Sequence, residues 1–185
     1  MSSLTGQILI AMPQMHDPFF ERAVVYLCAH SPEEGAMGLI VNKTIDSLTM
    51  DGLYAQLKIE PVTQSQPQPV HFGGPVATGH GFVLHSPDYR EDATLIIGDE
   101  FAITTTLDIL RAKGKGEGPR RSLVALGYAG WGPGQLDAEI QANGWLLVSA
   151  DTSLVFEAED DSKWQRALAK LGVSPEMLSG ESGRA

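Results

Sequence analysis

One stretch of the sequence, Leu126-Gly-Tyr-Ala-Gly-Trp-Gly-Pro-Gly-Gln-Leu-Asp-Ala-Glu-Ile-Gln-Ala-Asn-Gly-Trp145, combines an apolar start, a glycine-rich middle and two tryptophans. It begins inside the apolar run 122–128, which predicts a strand. The glycines that follow predict a turn. Leu136 and Ile140, at i and i+4, then predict a short amphipathic helix over 134–143. A further strand begins at the final tryptophan, so the stretch predicts a strand–turn–helix–strand unit.

The composition indicates one soluble domain. The chain has 185 residues, of which 43% are hydrophobic, and a chain of this length buries roughly 70% of its unfolded surface. Its single cysteine, Cys28, lies in an apolar run and favours a reducing compartment. The sequence contains no membrane-length apolar run and no secretory signal pattern. We therefore predict a cytoplasmic protein without a membrane segment, with one domain over 1–172 and a C-terminal segment with a polar tail over 173–185.

The apolar runs predict an α+β fold. Strands are expected at 6–12, 24–29, 37–43, 70–72, 81–86, 94–98, 101–104, 122–128, 145–150 and 153–156. Helices are expected as one turn starting at Asp17-Pro18, and at 47–58, after Thr105 or Thr106, at 134–143 and at 160–171. Residues 60–69, rich in proline and glutamine, predict an extended connector. Strands occur in runs and do not alternate regularly with helices, which is the pattern of an α+β domain.

The charge distribution disfavours direct nucleic-acid binding. The formal net charge is −10, and the one basic run, 111–121, has five positive residues against Glu117. Five phosphate contacts would give a salt slope of only about −4.5. We therefore interpret 111–121 as a solvated loop, or at most as an accessory contact for a phosphate-bearing partner. Its candidate anion contacts are Lys113, Lys115, Arg120 and Arg121.

The sequence contains no recognisable catalytic motif. It lacks a phosphate loop, a dinucleotide fingerprint and a Gly-x-Ser-x-Gly nucleophile elbow. None of its five histidines has a close metal-ligand spacing, and one cysteine cannot build a zinc site. The carboxylates are scattered, so their spacing does not indicate a two-carboxylate hydrolase. We predict no catalytic residue, no metal and no cofactor.

The two tryptophans of the opening stretch allow two interpretations. Burying both would remove roughly 300–500 Å² from water, on the order of 8–12 kcal/mol, which explains them as core residues. Alternatively, Trp131 lies at the edge of a cleft, with Gln135 at a helix N-terminus whose free N–H groups suit an anion. The candidate ligand or partner contacts are Asn42, Gly73, Gly74, Pro75, Tyr128, Gly130, Trp131, Gly132 and Gln135.

Seven ordered segments support a family resemblance. They are Gly6-Gln-Ile-Leu-Ile-Ala-Met-Pro13, Asp17-Pro-Phe-Phe20, Gly35-Ala-Met-Gly-Leu-Ile-Val-Asn42, Gly73-Gly-Pro-Val76, Gly81-Phe-Val-Leu-His85, Gly127-Tyr-Ala-Gly-Trp-Gly-Pro-Gly-Gln-Leu136 and Asn143-Gly-Trp145. Together they resemble the YqgE/AlgH family of bacterial proteins. The resemblance implies a compact α+β fold with a mixed, partly barrel-like sheet flanked by helices. Members are described as hypothetical proteins or as transcriptional regulators, the latter by a link to alginate regulation. The family supplies no catalytic residue to transfer, and segments 60–69 and 111–121 depart from its pattern.

The leading functional hypothesis is a non-enzymatic binding or regulatory module. It would act through a protein partner or a small ligand at the turn 130–135. A regulator that contacts DNA directly is the second hypothesis, although the sequence lacks a helix-turn-helix or a basic face. A hydrolase of a phosphate-bearing substrate is the third.

Overall fold

The computed structural model describes residues 3–62 and 68–182, and in this part of the chain one curved ten-stranded sheet is flanked by five α-helices. The strands are β1 Gln7–Ala11, β2 Val24–Ser31, β3 Gly35–Ile40, β4 Thr44–Thr49, β5 Pro69–Phe72, β6 Val76–His85, β7 Leu95–Ile96, β8 Ala102–Thr104, β9 Ser122–Trp131 and β10 Trp145–Ser149. The helices are α1 Met50–Gln56, α2 Leu107–Gly114, α3 Gln135–Gln141, α4 Asp160–Lys170 and α5 Pro175–Ser182. The predicted single α+β domain is confirmed.

The sheet has the order β10-β1-β2-β3-β9-β6-β8-β7, and β4 is attached through β5. All neighbouring strands run antiparallel except β5 and β9, which are parallel. The sheet is therefore mixed and curls into a half-barrel, as predicted. None of the helices in the described ranges is long and apolar enough to cross a membrane.

The long strand β9 joins the two parts of the sheet. Its first half pairs with β5 and β6, and its last residues pair with β3, where Trp131 lies opposite Ala36. Gly127, with φ +79°, lies between these two halves. A Cβ atom at position 127 would lie 2.2 Å from the carbonyl oxygen of Gly74. The predicted strand 122–128 continues to Trp131, and the glycine turn predicted after it is confined to 132–134.

The sheet is covered on both faces, because successive side chains of a strand point to opposite sides. Ile8 and Ile10 of β1 face the cluster that contains Trp164 of α4, whereas Leu9 faces the cluster that contains Trp131. A third cluster lies beneath α1 and α2. The fully buried strands explain why the sequence shows continuous apolar runs there.

Two predictions of secondary structure, one at the start of α1 and one just before α4, are wrong. The helix expected over 47–58 begins only at Met50, because strand β4 precedes it. Strand β4 was not predicted, since its residues are mostly exposed and its sequence has little apolar pattern. Thr49 starts the helix, because its Oγ1 accepts the N–H of Gly52 at 3.2 Å. Residues 153–156, expected as a strand, belong to a π-helical turn over Ser153–Glu157. The Asp151 carboxylate fixes the start of this turn by accepting the N–H of Leu154 at 2.7 Å.

Three other segments also differ from the prediction. Asp17-Pro18 begins a non-helical turn, in which Asp17 Oδ1 accepts the N–H of Phe19 at 2.8 Å. The basic run is not entirely a loop, since its first residues belong to α2. Most of the expected polar tail up to residue 182 lies in α5. Residues 63–67 of the predicted connector and 183–185 of the tail lie outside the described residues.

Candidate functional site

A cleft of about 380 Å³ lies over the two tryptophans of the opening stretch. β9 ends at Trp131 and β10 begins at Trp145, so the intervening helix α3 places the two indoles edge to face, with centroids 6.0 Å apart. Phe20 packs edge-on against Trp145 at 5.9 Å. The cleft is lined by Met15, Asp17, Phe20, Gly130, Trp131, Gln135, Glu139, Ala142, Gly144 and Trp145.

Glu139 is the central polar residue of this cleft. Its Oε1 accepts the indole N–H of Trp131 and that of Trp145, both at 3.0 Å. Its Oε2 accepts Gln135 Nε2–H at 3.0 Å, and Gln135 Oε1 in turn accepts the N–H of Gly132 at 2.9 Å. The sequence analysis did not select Glu139. The i,i+4 spacing from Gln135, with a tryptophan on either side of the helix, was the signal that could have found it.

Four of the predicted contacts belong to this cleft. Gly130, Trp131 and Gln135 line it, and Gly132 contributes the N–H that orients Gln135. Trp131 is only 7% exposed and Trp145 only 2%. The indoles are therefore core residues, and the cleft lies above their buried rings.

The predicted contact Asn42 does not line the cleft. Its Oδ1 accepts the N–H of Val24 at 2.8 Å, and its Nδ2 donates to the carbonyl oxygen of Arg22 at 2.9 Å. Both ends of the amide are thus bonded to the backbone that leads into β2. The observed role of Asn42 is to fix that chain segment.

Gly73 and Gly74 pack backbone against backbone, away from the cleft. A Cβ on Gly73 would lie 2.3 Å from the carbonyl oxygen of Gly127, and one on Gly74 would lie 2.1 Å from the carbonyl carbon of Tyr128. Tyr128 itself is half-buried and packs edge-on against Phe82 at 5.7 Å. These glycines hold the segment after β5 against β9, and Pro75 follows them outside the cleft lining.

The cleft is lined by negative charge, whereas the position of Gln135 at a helix N-terminus had suggested a site for an anion. Its lining residues include the carboxylates of Asp17 and Glu139 and no lysine, arginine or histidine. In the first turn of α3, Asp137 adds a further negative charge and contacts His30 Nε2 at 3.2 Å. The two lining carboxylates suit a cation better than the anion that the helix start was expected to receive.

The four predicted basic contacts do not form one binding surface. Arg121 pairs with Glu157 at 2.7 Å. Lys113 turns inward, where its Nζ donates to Ser122 Oγ at 2.6 Å. Lys115 and Arg120 are exposed. Of these four residues, Lys113 lines a second cavity.

That second cavity, of about 230 Å³, has a buried polar wall. His71 Nε2 lies 3.0 Å from both oxygens of Asp160. Lys163, only 2% exposed, donates to Asp160 Oδ1 at 2.9 Å and to the carbonyl oxygens of Val41 and Val155 at 2.7 and 2.8 Å. Sequence reasoning missed this wall, because its members come from β5 and α4, which only the folded chain brings together.

The group of His71, Asp160 and Lys163 holds two shifted pKa values and one unpaired atom. Burial would raise the pKa of the Asp160 carboxyl, but the hydrogen bond and charge of His71 and the charge of Lys163 outweigh it and lower that pKa. Burial lowers the pKa of Lys163, which the Asp160 charge partly opposes. His71 Nδ1 is buried and has no hydrogen-bond partner within the described ranges. In those same ranges no three or more His, Cys, Asp or Glu side chains are grouped to hold a metal ion.

Comparison with known proteins identifies the family. The AlgH-like family profile matches residues 8–176. A UPF0301 protein of Cereibacter sphaeroides is 50% identical over 183 residues, covering 98% of this chain and 99% of that protein. A UPF0301 protein of a Jannaschia species is 55% identical over 185 residues, covering 98% and 95%.

Solved structures agree with this assignment. The solution structure of AlgH from Pseudomonas aeruginosa superposes with a TM-score of 0.79 at 40% identity, covering 100% of this chain and 97% of that one. A crystal structure of a Corynebacterium diphtheriae protein matches with a TM-score of 0.72 at 21% identity, covering 90% and 85%, and supports the fold alone. The predicted family resemblance is confirmed, and the chain belongs to the AlgH-like family.

Proposed function

We propose that this chain is a non-enzymatic cytoplasmic binding module that receives a basic side chain of a protein partner in the cleft over Trp131 and Trp145. The observation that carries the proposal is the chemistry of the lining: two carboxylates and three aromatic rings, without a positively charged residue among them. A cation with an apolar stem, such as an arginine side chain, complements both features.

The two carboxylates have acceptor capacity left for such a cation. A carboxylate oxygen accepts up to about two hydrogen bonds. Asp17 Oδ1 accepts the N–H of Phe19, and within the described part of the chain its Oδ2 has no partner. Glu139 Oε2 accepts a single hydrogen bond from the described residues, that of Gln135. A guanidinium group could therefore bond to both carboxylates through charge-assisted hydrogen bonds.

The apolar part of the cleft suits the stem of the same side chain. Met15 and Phe20 are half-buried and line its wall. Long basic side chains lay their methylene groups on such surfaces while the charged end reaches a polar group. The net charge of −10 attracts a basic partner at long range. That charge and the separation of the four basic side chains favour a protein over DNA as the partner.

The proposal is tested with N-acetyl-arginine-amide and its citrulline counterpart, which keeps the shape but loses the charge. Binding is followed through the indole N–H signals of Trp131 and Trp145 in ¹⁵N NMR spectra at low ionic strength. The arginine probe should shift these signals in a saturable way, and the citrulline probe should not. Asp17→Asn should weaken arginine binding about fivefold, the effect of losing roughly 1 kcal/mol.

Asp99→Asn is the matched control, because Asp99 is exposed and lies outside the cleft lining while the change in charge is the same. It should leave the arginine affinity unchanged apart from a small screening effect. Equal binding of the arginine and citrulline probes, or equal effects of the two substitutions, would overturn the proposal.

A further inference from the structure

The Lys113 ammonium group is partly withdrawn from water without a counter-ion. Its side chain is half-buried in the last turn of α2, and the chain at Gly118 folds back over its stem, where an added Cβ would lie 2.7 Å from Lys113 Cγ. Within the described ranges, no carboxylate lies within 4.0 Å of its Nζ. Burial lowers the pKa of this lysine, which reflects the same desolvation.

Lys113 and Ser122 together present hydrogen-bond donors that the protein leaves without acceptors. Lys113 Nζ donates one N–H to Ser122 Oγ at 2.6 Å, and an ammonium group has three. Neither the other two N–H groups nor the Ser122 O–H has a protein acceptor in the part of the chain that is described. Three donors thus meet at one place in the cavity wall.

The charges of Asp160 and Lys163 in the wall are already paired. Lys163 gives its three N–H groups to Asp160 and to two carbonyl oxygens. Asp160 is held by Lys163 and His71. Glu159 also lines the cavity but is exposed, so solvent and salt screen its charge. Lys113 is therefore the cation of this wall that has no counter-ion within 4.0 Å among the described residues.

We propose that this cavity binds a small oxyanion, a carboxylate or a phosphate, between Lys113 Nζ and Ser122 Oγ. One oxygen accepts from the ammonium group and another from the hydroxyl, which are charge-assisted hydrogen bonds. The volume of about 230 Å³ is below the roughly 300–1,000 Å³ of sites for drug-sized ligands, so the ligand is small. The site shares no lining residue with the aromatic cleft and is independent of the function proposed there.

The test titrates the full chain with acetate and, separately, with inorganic phosphate by calorimetry, at an ionic strength held constant with sodium chloride. At least one of the two should bind, and which one binds identifies the oxyanion. Lys113→Gln should weaken that binding at least tenfold, and Ser122→Ala severalfold. Lys115→Gln is the matched control, because Lys115 is exposed, belongs to the same basic run and does not line the cavity.

Lys115→Gln should stay within about twofold of the wild type, the change expected for one distant screened charge. Thermal unfolding of every variant confirms that it is folded before its affinity is compared. Absence of binding by both anions to the wild-type chain would overturn the proposal. Equal losses in Lys113→Gln and Lys115→Gln would overturn it as well, because binding would then depend only on net charge.

Discussion

Glu139 anchors Trp131 through a hydrogen bond of 3.0 Å from the indole Nε1–H to the carboxylate Oε1. The same oxygen accepts the indole N–H of Trp145 at 3.0 Å, so one acidic side chain satisfies both buried donors. A buried N–H without an acceptor costs about 1–3 kcal/mol. Glu139 therefore stabilises the junction of β9, α3 and β10 as well as contributing charge to the cleft.

Glu139→Ala should lower the free energy of unfolding by about 2–4 kcal/mol, because two indole N–H groups lose their acceptor. Urea denaturation measures the change. Gln141→Ala is the control, since Gln141 lies on an exposed position of the same helix and should change stability by less than about 0.5 kcal/mol. A loss below about 1 kcal/mol in Glu139→Ala would mean that water replaces the carboxylate, contrary to the burial of the indoles.

Gly74→Ala should destabilise the fold by more than about 3 kcal/mol, because the new methyl group meets backbone that cannot rotate away. Its Cβ would lie 2.1 Å from the carbonyl carbon of Tyr128, and the φ of Gly74 is +154°. Gly79→Ala is a control on the neighbouring strand β6, where an added Cβ has no atom within 4 Å. Denaturation curves of the two variants should therefore differ widely. Similar midpoints would show that the contact between Gly74 and β9 can relax.

The buried thiol of Cys28 should be nearly unreactive in the folded protein. Burial raises the pKa of Cys28 to about 12, against roughly 8.5 for a free thiol. At pH 8 the thiolate fraction is then lower by about a thousandfold, and iodoacetamide labelling should slow accordingly. Labelling in denaturing urea serves as the control and should be fast. Rapid labelling of the native protein, followed by mass spectrometry, would show that the strand around Cys28 opens.

The sequence predicted the parts of the fold that depend on local patterns. The buried strands β1, β2 and β9 have apolar runs that the periodicity rules recognise. Strand β4 was missed because its exposed residues have no such pattern, and its pairing with β5 is decided by tertiary contacts. Residues 153–156 of the π-helical turn Ser153–Glu157 were predicted as a strand because their short apolar run fits either structure.

The candidate site was predictable only where its residues are close in the sequence. Trp131 and Gln135 were selected from one glycine-rich stretch, and both line the cleft. Asp17 comes from a distant turn, so its place in the same cleft lining as Glu139 depends on how the strands are ordered. Asn42 was selected as a ligand contact because an amide side chain near glycines suits ligand binding. The same side chain equally suits hydrogen bonding to the backbone. Its hydrogen bonds to the backbone are visible only in the folded chain.

Asp160 should make stability depend on pH in the acid range. Its pKa is lower in the folded protein than the roughly 3.9 of an unfolded aspartate, because His71 and Lys163 outweigh the effect of burial. The carboxylate therefore stabilises the fold above about pH 4, and this contribution is lost as the pH falls through its lowered folded pKa. Unfolding free energies of the wild type and Asp160→Asn, measured from neutral pH downwards, should differ most at neutral pH and converge below about pH 4. Asp161→Asn is the control, because Asp161 is an exposed neighbour. Its unfolding free energy should differ little from that of the wild type at any pH. If the difference between Asp160→Asn and the wild type stayed constant with pH, the effect of Asp160 would be one of packing.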